Sequence, residues 1–155
     1  IAYQAAYLTG CKLKELGINF NLAPDMDINS NPKNPVIGVR SFGDNSKVVS
    51  DFGCAMIEGY LDAGIMCLAK HFPGHGDTEN DSHVFLPSIP CNLETLHNRE
   101  LIPFKYLIEA HVPAIMSGHL SFPKIRENGE PASLSEYFLT ELFLHNFRIA
   151  RLTEQ

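Results

Sequence analysis

The chain has 155 residues, 45% hydrophobic and 19% charged, enough for one compact domain and too evenly mixed for a disordered or collagen-like polymer. Its net charge of −6, with no block of lysines or arginines, argues against a nucleic-acid binder. The apolar runs are only a few residues long, far short of a membrane span.

Residues 1–16 set Ala2, Ala5, Ala6, Leu8 and Leu13 among polar positions, which predicts a helix ending near Gly17. Residues 18–23 alternate as a strand and stop at Pro24. A loop rich in Asn, Pro and Gly runs from Asp25 to about Asp44. Residues 46–63 then read as a helix with Val48, Val49, Phe52, Met56, Ile57 and Tyr60 near one stripe, ended by Gly64. A short buried strand over 65–69 leads into a loop from His71 to Pro90, too long for a mere connection. Asn92 predicts the cap of a helix reaching about Ala110. A buried strand over 112–116 follows, then a loop, then a last helix over about 136–145 capped by Ser133 or Ser135.

The alternation of strands and helices predicts an α/β fold with a parallel sheet. Polar and charged residues gather just past each strand, at Asp25/Asp27, Lys70/His71 and Ser117/His119, where such folds assemble active sites. Alternation alone does not separate an open sheet from a barrel. The four cysteines, Cys11, Cys54, Cys67 and Cys91, are scattered without a CxxC pair, which predicts free thiols and fits a reducing compartment. No signal peptide is present, yet the chain opens on Ile1 inside a helical pattern, so the sequence assigns no location, cytoplasmic or exported. It assigns no oligomeric state either.

The segment 70–83 concentrates the chemistry: three histidines, one lysine and several carboxylates in fourteen residues. In an extended segment residues i and i+2 share a side, so Asp81 and His83 can approach one another. A carboxylate on one imidazole nitrogen fixes the tautomer and leaves the other nitrogen for proton transfer. Gly74 and Gly76 would let such a loop move. Spacing alone leaves two other readings open. His71, His75, Asp77, Asp81 and His83 would also suffice as metal ligands, and a surface loop without chemistry fits too. His97, His111 and His145 read as structural or solvated.

The run Lys70-His71-Phe72-Pro73-Gly74-His75-Gly76 followed by Asp81-Ser82-His83 resembles the signature of the β-N-acetylhexosaminidase branch of glycoside hydrolase family 3. Residues 23–27 with Asn29, residues 31–38 with Arg40-Ser41-Phe42-Gly43, and Pro131-Ala132-Ser133-Leu134-Ser135 add matches in the expected order, over roughly residues 1–148. The resemblance implies one partial TIM-type (β/α)8 barrel domain over 1–155. The early strands, with an acidic motif for the outer sugar hydroxyls, and the later strands bearing the nucleophile are missing from it.

It further implies a retaining exo-β-N-acetylglucosaminidase acting on cell-wall fragments or chito-oligomers. His83 would be the acid/base, Asp81 its orienting partner, and Arg40, Lys70 and His71 substrate-binding residues. The partner is then a carbohydrate, with no metal and no cofactor. The family's aspartate nucleophile follows a Phe-x-Gly turn, whereas here Phe147-Arg148 leads to Ile149, Arg151 interrupts the apolar strand, and Glu154 stands at the nucleophile's count. A divergent or frame-shifted end explains this better than a substituted nucleophile, so the chain alone is expected to be inactive. The alternatives are a catalytically dead sugar-binding remnant, a family 3 β-glucosidase, which Asp81-Ser82-His83 argues against, or a metal-dependent hydrolase.

Overall fold

A computed structural model describes residues 1–78 and 86–145. Helix α1, Ala2–Glu15, ends where Gly17 takes φ +78°, a backbone that glycine adopts without steric cost. Strand β1 is only Phe20–Asn21, shorter than the alternation predicts. Its pairing nevertheless continues past Pro24: Leu68 and Lys70 donate to the carbonyls of Ala23 and Pro24, and Met26 donates back to Lys70 O at 2.6 Å. Helix α2, Ser46–Asp62, starts at Asn45, whose Oδ1 accepts from the N–H groups of Lys47 and Val48.

Strand β2, Met66–Phe72, runs three residues beyond the expected strand, so Lys70 and His71 sit on the strand itself rather than at a loop's start. After it, Asn92 Oδ1 caps helix α3, Leu93–Thr95, by accepting from Thr95 N–H at 2.8 Å. The same helix widens to π-type pairing over Leu96–Glu100 and returns to α geometry in α4, Leu101–Glu109. Such widening recurs where a side chain is re-aimed at a functional position. Strand β3, Ala114–Ser117, precedes a final π-type helix, Tyr137–His145, within the expected range.

The three strands form a parallel sheet in the order β1-β2-β3, with Phe20 opposite Met66 and Leu68 opposite Ala114. Parallel neighbours require crossover connections, and α2 and α4 supply them, so the fold is α/β as expected. The register of β2 on β3 shifts between Lys70 and Phe72, and the Lys70–His71 peptide bond is cis. His71 is thus the residue at which the strand departs from regular pairing.

The core lies where α2 and α4 cover the sheet. Val49 and Ile57 of α2 meet Leu101, Phe104 and Leu107 of α4 over Cys67 and Ala69 of β2, all essentially sealed from solvent. Phe72 packs edge-on against Phe104 with ring centroids 5.5 Å apart, and Phe122 lies tilted against Phe138 at 5.1 Å. Burying each such ring contributes about 2–3 kcal/mol before side-chain entropy is subtracted. All four cysteines are free thiols, as their spacing predicts. Among the described residues no helix is long and apolar enough to cross a membrane.

Candidate active site

Two segments meet at the C-terminal end of the sheet: residues 25–43 beyond β1 and residues 70–78 at the end of β2. Asp27 joins them. It is fully buried, accepts the His75 N–H at 2.6 Å and the His71 N–H at 3.3 Å on Oδ1, and holds His71 Nδ1 at 2.6 Å on Oδ2. Asn34, also buried, bridges the same segments. Its Nδ2 donates to the carbonyls of His75 (2.8 Å) and Gly76 (3.0 Å), and its Oδ1 accepts from Val36 and Ile37. Gly76 lies so close to Ile28 that any side chain there would overlap its carbonyl oxygen. Ser41 Oγ donates to Asp27 O at 2.6 Å, and Phe42 tilts against Phe52 of α2, fixing the turn that carries Arg40.

Arg40, Lys70 and His71, the expected substrate-binding residues, converge around Asp25 and Asp27. Arg40 Nη2 lies 3.1 Å from Asp25 Oδ2, and Arg40 and Lys70 both line a cavity of about 290 Å³ with Asp25, Phe42 and Met56. The guanidinium pairs by charge with Asp25 Oδ2, which makes no hydrogen bond among the described residues. Burial, aided by the charge of Asp27, therefore pushes the Asp25 carboxyl up to about 7. Burial also raises Asp27 to about 6 against the lowering effect of its hydrogen bonds. Burial and the nearby Arg40 charge depress the Lys70 amine. A larger cavity of about 450 Å³, between His111–Ile115 and Phe143, has no carboxylate in its lining.

The expected acid/base His83 and its partner Asp81 lie outside the described residues, as does Glu154. The described part of their loop is held firmly at its start. Asp77 Oδ2 accepts from Arg99 Nη2 at 2.8 Å, and Arg99 Nε donates to Glu100 Oε1 at 2.6 Å. Glu100 is 1% exposed, and Gly74, at φ +137°, presses on its carboxyl where a side chain would not fit. His75 is likewise buried, its ring edge-on to His71, and among the described residues neither ring nitrogen makes a hydrogen bond. Burial depresses its pKa and so favours the neutral ring. The described residues whose geometry does suit a metal are Asp25, Asp27 and His71, with ligand atoms within 4.8 Å of one another. Asp27 was readable from the i, i+2 spacing of Asp25 and Asp27, which puts both carboxylates on one side of an extended segment. Nothing local marks Asn34, Arg99 or Glu100.

Burial raises the Glu100 carboxyl from 4.5 to about 7, outweighing the Arg99 charge. Glu100, Asp25 and Asp27 thus hold their protons more tightly folded than unfolded, so their contribution to stability falls as pH rises from about 4 to about 7. For Glu100 the span corresponds to about 3 kcal/mol. His75 works the other way below its ordinary value of 6.5, so the informative quantity is a difference between proteins. Glu100→Gln is expected to flatten the decline in urea midpoint between pH 5 and pH 8. Equal slopes in the two proteins would contradict this account of Glu100.

The glycosyl hydrolase family 3 N terminal domain matches residues 1–147, and the chain belongs to that family. It is 45% identical to a family 3 β-N-acetylglucosaminidase from Paenibacillus sp. str. FPU-7, with a TM-score of 0.92 over 95% of this chain and 28% of that one. It is 41% identical to β-hexosaminidase A of Pseudoalteromonas piscicida over 93% of this chain and 26% of the relative. Zinc-bound CbsA of Thermotoga neapolitana superposes with a TM-score of 0.88 at 31% identity, over 95% of this chain and 32% of that one. The chain therefore spans about a quarter to a third of the length of these relatives.

Proposed function

We propose that this chain is part of a retaining exo-β-N-acetylglucosaminidase, contributing a section of a (β/α)8 barrel with the sugar-gripping and proton-transfer residues. The observation that carries the reading is the meeting of Arg40, Lys70 and His71 around two buried aspartates at the C-terminal ends of parallel strands. Arg40 and Lys70 bring positive charge and N–H donors to sugar hydroxyls, and Asp27 fixes the His71 ring so that its orientation costs little entropy on binding. His83, oriented by Asp81, protonates the departing glycosidic oxygen. A carboxylate from a later strand forms the glycosyl–enzyme, and His83 then activates the water that releases it. With Glu154 set aside as nucleophile, the 155 residues alone are inactive.

The test compares p-nitrophenyl N-acetyl-β-glucosaminide with the plain β-glucoside on a protein of the relatives' full length. A preference of at least 100-fold for the N-acetylated substrate is expected. Equal rates would move the reading to a β-glucosidase, and binding without turnover to a remnant. Strong turnover by the 155-residue chain itself would refute the assignment of the nucleophile to a later strand. The grouping of Asp25, Asp27 and His71, together with the zinc-bound relative, favours one second reading, a metal-dependent hydrolase. Full activity after exhaustive chelation would dismiss it.

A further inference from the structure

The site as described draws on the segments beyond β1 and at the end of β2, leaving the flank beyond β3 without a role. There Gly118 donates its N–H to Phe72 O at 2.7 Å, and a side chain on Gly118 would stand only 3.3 Å from His71 Cβ. The chain just past β3 therefore abuts His71 on the side opposite β1. The next residue, His119, carries an exposed imidazole beside that contact.

That ring is held. Its Nδ1 lies 2.8 Å from Ser133 Oγ, and Ser133 belongs to a run tied down at both ends. Ala132 N–H donates to Leu120 O at 2.7 Å, and buried Ser135 donates to Glu130 Oε1 at 2.5 Å. An exposed histidine pays rotamer entropy to stay in one orientation, and nothing in folding requires it to. The serine hydroxyl can donate to Nδ1 or accept from it, so it holds the ring while leaving the second nitrogen to pair elsewhere.

We propose that His119 is a further substrate-contacting residue, placing Nε2 against a polar group of the bound N-acetylglucosaminide on the β3 flank, with Ser133 as its positioning residue. The inference rests on the N-acetylglucosaminidase reading and adds a third strand end to the binding site. When Ser133 donates to Nδ1, Nε2 carries the proton and recognises an acceptor, such as the acetamido carbonyl or a hydroxyl oxygen.

The experiment measures N-acetylglucosamine binding by calorimetry, and KM and kcat, on a protein of full length. His119→Ala is expected to weaken binding and raise KM about tenfold while kcat changes less than threefold. Glutamine extends an amide to the Nε2 position and asparagine only to Nδ1. His119→Gln should therefore recover most of the affinity, and His119→Asn little. Ser133→Ala should weaken binding by about threefold and add nothing to His119→Ala. Unchanged affinity in His119→Ala, or recovery by asparagine but not glutamine, overturns the proposal. Should His119→Ala fail to fold, full affinity in Ser133→Ala together with His119→Asn overturns it, and the threefold loss in Ser133→Ala supports it. If the unsubstituted protein binds no N-acetylglucosamine, both readings fall; if it binds and His119→Ala binds equally, only this one does.

Discussion

Replacing Asp27 by alanine is expected to cost the fold about 3–5 kcal/mol, the largest stability effect of any polar substitution in the described site. The carboxylate is sealed from solvent and is the acceptor for two backbone N–H groups and one imidazole nitrogen. Each buried donor left without a partner costs roughly 1–3 kcal/mol, and the two contacts at 2.6 Å carry most of the total. Against this stands the relief of removing a carboxyl that burial already disfavours when ionised. The donors win because they belong to the β2 end and the 70–78 loop, which cannot turn to water without unpacking Phe72 and Phe104. Urea denaturation at pH 7 measures the loss, and Asp27→Asn, with one acceptor oxygen retained, should fall between. A loss below about 1 kcal/mol for alanine would show that Asp27 does not hold the two segments together.

Substituting His83 by alanine in a protein of full length should lower kcat by about 10²–10⁴-fold, the usual contribution of a positioned acid/base. The thermal midpoint should barely move, since a proton-transfer residue is selected for access rather than packing. Chemistry supplies a sharper readout than rate alone. An aryl glycoside whose leaving group is a weak base departs without protonation, so its glycosylation step should suffer much less than that of an alkyl glycoside. Asp81→Asn should reproduce part of the defect by losing the tautomer that leaves a free ring nitrogen. Equal losses across leaving groups, or an unchanged rate, would remove His83 from the acid/base role.

How far the sequence could be read followed the range of the interactions. Asn92 was visible as a cap because the N–H group it accepts from lies three residues away. Gly17 and Gly64 marked helix ends because the positive φ they adopt excludes other side chains locally. The strands were found but mis-measured. β1 proved shorter and β2 longer, since a parallel strand's length depends on a partner more than forty residues distant.

The α/β class was present in the sequence itself, in periodicity and turn residues, while the family and the candidates Arg40, Lys70 and His71 came from the resemblance of its motifs to glycoside hydrolase family 3. The tertiary structure alone decided that Asp27 binds the site together, that Asn34 and Arg99 clamp its loop, and that Glu100 is a buried carboxyl behind Gly74. It also decided that His75, one of three similar histidines in the sequence, is sealed from solvent, which depresses its pKa. Each of those outcomes depends on solvent exclusion and on partners 22 to 48 residues away, and neither is encoded in any local run of residues.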